Sequence, residues 1–212
     1  SFHLPYDASA EEIVAARREF AAAGIGIVGG GLIAFHEDSD ESMEASFAYA
    51  RAAGFPVIVA GPTPEVLPRL ERFAVKYDIK VAIHNHGPED QYFPAPSDAL
   101  AMVAGMDERM GVCVDVGHTA RTGKDVVREI AAAGSRLHDM HMKDLADFSS
   151  RDSQCVVGEG LMPIPAIFRQ LEAMEYPGYV HLEYEIDAAN PVAGMQRSFA
   201  YMRGVIAGLD AG

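Results

Sequence analysis

Lys80-Val81-Ala82-Ile83-His84-Asn85-His86-Gly87 is the stretch on which the fold turns. An apolar run of strand character leads directly into two histidines and a glycine. Imidazoles at alternate positions of a strand end add little to stability, so the strand reads as a scaffold that delivers chemistry. Val112-Cys113-Val114-Asp115-Val116-Gly117-His118 ends its run in an aspartate and a histidine. Leu137-His138-Asp139-Met140-His141-Met142-Lys143-Asp144 and Tyr179-Val180-His181-Leu182-Glu183-Tyr184-Glu185 repeat the pattern. Four apolar runs that end in histidine or carboxylate imply one site built from four strand ends.

The segments between and before these runs are helical. Ser9-Ala10-Glu11-Glu12 has capping-box spacing, with Ile13 and Phe20 on one face behind it and Gly24 at the close. Met43, Phe47 and Ala50 recur at helical spacing, as do Val66, Leu70, Phe73 and Tyr77 after the Thr63-Pro64 start. Val192, Met195, Phe199, Met202 and Ile206 outline a closing helix. Phe2-His3-Leu4-Pro5 reads as the tail of a short strand. Ile25-Gly26-Ile27-Val28 reads as the next strand, running into Gly29-Gly30-Gly31. That glycine spacing is wrong for a dinucleotide fingerprint. Strand and helix alternate about seven times, with no linker or composition break, so residues 1–212 read as one α/β domain. Short apolar strands suit a parallel sheet covered on both faces. Functional side chains at many strand ends favour a (β/α)8 TIM barrel over an open doubly wound sheet. The first of eight βα units is then expected before Ser1.

Composition narrows the function. Hydrophobic residues make up 49% of 212, enough for a sizeable core. No run approaches a membrane span. With no such span, and with a formal net charge of -14 that repels phosphate backbones, neither membrane nor nucleic acid is an expected partner. Cys113 and Cys155 are too few for a disulfide framework; Cys113 reads as a buried free thiol, which fits a reducing, cytoplasmic setting. The chain opens at Ser1 without an initiator methionine or a leader.

The strand ends supply ligands for one divalent ion: imidazoles of His84 and His141, carboxylates of Asp115 and Glu183. Such a set suits Mn²⁺, Zn²⁺, Co²⁺ or Fe²⁺, with Mg²⁺ also admitted, better than Ca²⁺. His86 and His118 lie one step further out, placed to touch substrate or move protons. Lys143 shares the face of His141, where its ammonium would stabilise an enolate or alkoxide oxygen. Glu185 shares the parity of Glu183 and sits further along the loop; with His118 and His3 it is a substrate-binding candidate. His138 and His181 read as structural. Arg121, Lys124 and Arg151 read as solvated, which favours a non-phosphorylated substrate.

As a set, Asp115-Val116-Gly117-His118, His141-Met142-Lys143-Asp144, Gly158-Glu159-Gly160 and Leu182-Glu183-Tyr184-Glu185 resemble the sugar phosphate isomerase/epimerase-like group. These are xylose isomerase-like TIM barrels, related in fold to endonuclease IV. The resemblance implies a Mn²⁺ or similar ion held by glutamate, aspartate, histidine and glutamate. The last three match Asp115, His141 and Glu183, and His118 matches a substrate-contacting histidine. His84 departs, standing where those epimerases have a glutamate. Its pairing with His86 is closer to the inosose dehydratase branch. The implied chemistry is proton abstraction beside a carbonyl, with Glu183 as base and His86 as second choice. Isomerisation or epimerisation of a sugar or keto-sugar is the leading expectation, and a lyase or dehydratase reaction the alternative. Cleavage of abasic DNA conflicts with the acidic charge, and a non-catalytic sugar-binding barrel is a further reading. Dimers or tetramers are in keeping with this barrel group.

Overall fold

The computed structural model describes residues 4–5 and 8–209. In chain order its elements are α1 (Ala10–Ala22), β1 (Gly30–Phe35), α2 (Asp40–Ala53), β2 (Val57–Pro62), α3 (Leu67–Tyr77), β3 (Lys80–His84), α4 (Pro96–Val103), β4 (Met110–Asp115), α5 (Val116–Arg121), α6 (Val126–Ala133), β5 (Leu137–Met142), β6 (Asp144–Leu145), β7 (Gln154–Cys155), α7 (Ile164–Ala173), β8 (Val180–Leu182) and α8 (Val192–Leu209). The chain divides into two compact units, Ser1–Ile83 with Val103–Gly111, and His84–Met102 with Val112–Gly212.

In the first unit β1, β2 and β3 run parallel, with Ile33 opposite Ala60 and Val57 opposite Lys80. The capping box forms as expected: the Ser9 hydroxyl accepts from the Glu12 amide and the Glu12 carboxylate accepts from the Ser9 amide. Met43, Phe47, Ala50, Val66, Leu70, Phe73 and Tyr77 are buried. Phe47 is the hub, with ring centroids 6.1 Å from Phe35, 6.0 Å from Phe73 and 5.5 Å from Tyr77. Phe20 is instead exposed, because α1 buries only Ile13. The strand expected at Ile25–Val28 begins later, at Gly30. The reason is steric: a side chain at Gly30 would strike the Phe55 ring, and one at Gly31 the backbone of Val59. Only the glycines let β1 lie this close. Thr63 does not cap through its side chain; a 3₁₀ turn over Pro64–Val66 precedes α3.

In the second unit β4, β5 and β8 run parallel, with Asp115 opposite His141 and His141 opposite His181. The last residue of β3, His84, also falls in this unit. Short β6 and β7 pair antiparallel within the long loop after β5. The buried stripe of α8 is Gly194, Ser198 and Met202, while Val192, Phe199 and Ile206 are exposed. Close packing selects the small residues: the Ser198 hydroxyl accepts from the Val157 amide at 3.1 Å, and a side chain at Gly194 would meet the Tyr184 hydroxyl.

Among the described residues there are six strands in parallel pairing, β1 to β5 and β8. The count of seven included Phe2-His3-Leu4-Pro5; Phe2 and His3 lie outside the described residues, and Leu4 and Pro5 have no regular structure. No helix among the described residues is long and apolar enough to cross a membrane.

Candidate metal centre

Every site candidate with described coordinates lies in the second unit. His84 ends β3, Asp115 ends β4, His141 lies one residue before the end of β5, and Glu183 directly follows β8. Each strand thus delivers one side chain at its C-terminal end, which is where parallel α/β folds place their chemistry. One ligand atom from each of the four lies within 4.8 Å of the others.

The protons in this cluster can be worked out from donors and acceptors. His141 Nδ1 is 2.8 Å from Glu183 Oε2 and 3.0 Å from His84 Nε2. Glu183 is an anion: burial would raise its pKa, but the hydrogen bond from His141 and the charge of Lys143 hold it far below the carboxylate range. His141 therefore donates from Nδ1, and His84 Nε2 offers a lone pair to the same hydrogen. Burial keeps His84 neutral, its pKa lowered to about 4. Its one proton is then on Nδ1, which is buried without a hydrogen-bond partner. Asp115 Oδ2, 3.7 Å from His84 Nε2, likewise has no well-aligned hydrogen bond, although the Lys143 ammonium is 3.1 Å away. The Nε2 lone pair of His84, the Nδ1–H of His141 and two carboxylates converge on one proton. A divalent cation fits that donor set and would replace the proton.

Lys143 stands beside the cluster, its ammonium 3.1 Å from Asp115 Oδ2, 3.3 Å from Glu183 Oε2 and 3.1 Å from Glu185 Oε2. Burial would lower its pKa; Asp115, Glu183 and Glu185 overcome this and hold it above the usual range. Burial pushes Asp115 up to about 7 against the pull of Lys143. Gly117 makes room for the lysine, since a Cβ there would lie 2.6 Å from Lys143 Cγ and Cδ.

The rim carries two more histidines. His86 Nδ1 is 3.2 Å from Asp90 Oδ2, and its ring centroid is 4.3 Å from that of His84. A carboxylate only accepts, so His86 donates from Nδ1. Burial lowers His118 to about 3, assisted by Lys143. Arg121 Nη1 lies 3.4 Å from His118 Nδ1 and can only donate, so the His118 proton is on Nε2. Arg121 is thus a correction to the expected solvated residue: its side chain is 5% exposed and also paired with Glu89. Lys124 reaches the Ser97 hydroxyl. His181 donates from Nδ1 to Asp139 at 2.6 Å, one step below the ligands. His3 lies outside the described residues.

Sequence reasoning passed over several supporting residues. Asn85, fully buried between the two histidines, accepts the Asp115 amide at 2.9 Å and donates to Thr119 Oγ1 at 3.1 Å. A polar residue of opposite parity inside a histidine pair was the available signal. Asp144 accepts the amides of Gly158, Gly160 and Met162 at 2.9, 3.1 and 2.9 Å, which explains the Gly158-Glu159-Gly160 turn. Gln154 donates to the Glu183 carbonyl and accepts the Glu185 amide. Nothing local in the sequence marks it.

The family model of xylose isomerase-like TIM barrels matches residues 3–205. No curated protein sequence matches the chain. Solved structures share the fold. An uncharacterised protein from Parabacteroides distasonis is 28% identical, with a TM-score of 0.69 over 94% of this chain and 78% of that one. The 3-keto-D-glucoside 4-epimerase YcjR from E. coli is 18% identical, with a TM-score of 0.74 over 92% and 85%. The IolI protein, solved with a zinc atom, is 17% identical, with a TM-score of 0.77 over 94% and 82%.

Proposed function

The chain belongs to the xylose isomerase-like TIM-barrel family, and from that premise we propose that it is a divalent-metal-dependent enzyme that isomerises or epimerises a sugar or keto-sugar by removing a proton next to a carbonyl. The observation that carries this reading is the convergence of His84, Asp115, His141 and Glu183 within 4.8 Å, beside the Lys143 ammonium. Bound there, Mn²⁺, Zn²⁺ or a similar ion would supply Lewis acidity toward a carbonyl and its neighbouring hydroxyl, acidifying the adjacent C–H. The zinc of the IolI structure and the epimerase among the structural neighbours support the reading.

The chain's own groups take the remaining roles. Glu183 is ionised, as a base must be, and its basicity rises when Lys143 turns from it to a substrate oxygen. Lys143 stays cationic and donates to the oxygen on which charge develops. His118 offers its Nε2 hydrogen to a substrate hydroxyl, and Glu185 accepts from another. His86, held by Asp90, is the alternative base.

Loss of water from a keto-sugar or inosose-like substrate is a second reading. It is favoured by His84, which fills a ligand position with imidazole and leaves a two-carboxylate proton shuttle one member short. Incubating metal-loaded protein with keto-sugars in D₂O separates the two. Deuterium uptake without loss of water supports isomerisation or epimerisation, and an α,β-unsaturated product supports dehydration. Absence of both across a broad keto-sugar panel would count against either activity.

A further inference from the structure

We propose that Cys113 is an additional ligand of the metal centre, drawing thiophilic ions one step deeper than the carboxylates hold harder ones. This rests on reading the four-residue cluster as a metal site. Cys113 lies two residues before Asp115 on β4, so its side chain points to the same face of the strand, one step toward the strand's start. Two ligand sets overlap here. His84 and His141 belong to the set completed by Asp115 and Glu183, and equally to a set completed by Cys113. In each, one ligand atom per residue lies within 4.8 Å of the rest.

The surroundings point the same way. His84 Nδ1 is buried and lacks a hydrogen-bond partner, so one ring of both ligand sets carries a polar atom that the protein itself does not satisfy. Cys113 is wholly buried, as is usual for a thiol in a core. Its position among metal-capable imidazoles is not usual. Most side chains that fill a barrel interior are branched aliphatics, whereas the residues two before Asp115, His141 and Glu183 are Cys113, Asp139 and His181.

Ligand softness then determines where an ion rests. Mn²⁺ and Mg²⁺ favour oxygen and stay with Asp115 and Glu183; Zn²⁺ and Co²⁺ accept sulfur and shift toward Cys113. Coordination requires the thiolate, so the thiol proton passes to solvent as the ion binds. The identity of the ion would thus set its distance from the substrate.

Cobalt loading tests this without any turnover. Co²⁺-loaded protein is expected to show visible ligand-field bands together with a near-ultraviolet sulfur-to-cobalt charge-transfer band. Cys113→Ser and Cys113→Ala should lose the charge-transfer band and keep the visible bands, with the Zn²⁺/Mn²⁺ affinity ratio falling roughly tenfold. X-ray absorption of the zinc-loaded parent, which needs no variant, should find one sulfur at roughly 2.3 Å. Visible bands without charge transfer, and a zinc shell of nitrogen and oxygen alone, would overturn the Cys113 proposal and leave the metal centre standing. Failure of cobalt and zinc to bind would remove the metal centre, and this proposal with it.

Discussion

His84 Nε2 lies 3.0 Å from His141 Nδ1, and a single hydrogen serves both rings and the Glu183 carboxylate. Such a contact is a weak bond for a protein to bury, and a strong one for a cation to replace. His84→Ala should therefore lower divalent-ion affinity by roughly 100-fold or more, read by titration calorimetry. Unchanged affinity would remove His84 from the ligand set.

Affinity should also depend on pH. His84, near 4, is already neutral above about pH 5 and contributes no slope there. Burial would lower His141, but its bond to Glu183 raises it above the ordinary value. Burial raises Asp115 to about 7. Both groups hold protons that an entering cation must displace, so affinity climbs as pH rises through about 7, where Asp115 gives up its proton. Calorimetry in two buffers of different ionisation heat should detect proton release at pH 6 that shrinks by pH 8.

Lys143→Met leaves Asp115, Glu183 and Glu185 without their cation. Breaking a buried ion pair in this way costs about 3 kcal/mol, so the metal-free protein should melt earlier. Added divalent ion should restore more stability to this variant than to the parent, because it takes over the lysine's charge. Gly117→Ala, which crowds the lysine stem, should act in the same direction but less strongly. A variant whose melting is indifferent to metal would contradict both expectations.

Asp144→Ala strands three amides at Gly158, Gly160 and Met162. Losing the acceptor of one buried and two partly buried donors costs about 2 kcal/mol. Limited proteolysis should find new cuts in residues 156–162, with a lower urea midpoint. Protection equal to that of the parent would show that the turn is held by other means.

The strand ends were legible because period-two alternation and polar termini are local signals. His84, Asp115, His141 and Glu183 could be singled out in that way, and they do converge. Helix cores with large residues were legible too, as at Phe47 and Leu70. Where small residues decide packing, hydrophobicity misled: α8 buries Gly194 and Ser198 and exposes Phe199, and β1 begins at its glycines rather than in the apolar run before them. Partners distant in sequence, such as Arg121 with Glu89 or Gln154 with the Glu183 carbonyl, leave no trace in local pattern.

His141-Met142-Lys143-Asp144 places a ligand candidate, a core residue, the site's cation and the anchor of a distant turn on consecutive positions. A one-residue insertion or deletion there would displace all four together, so the tetrapeptide can change only by substitution in place. The exposed tip at residues 147–152, between the paired strands β6 and β7, carries no such burden. It is the natural point at which to graft a tag or vary length, leaving the chemistry behind it untouched.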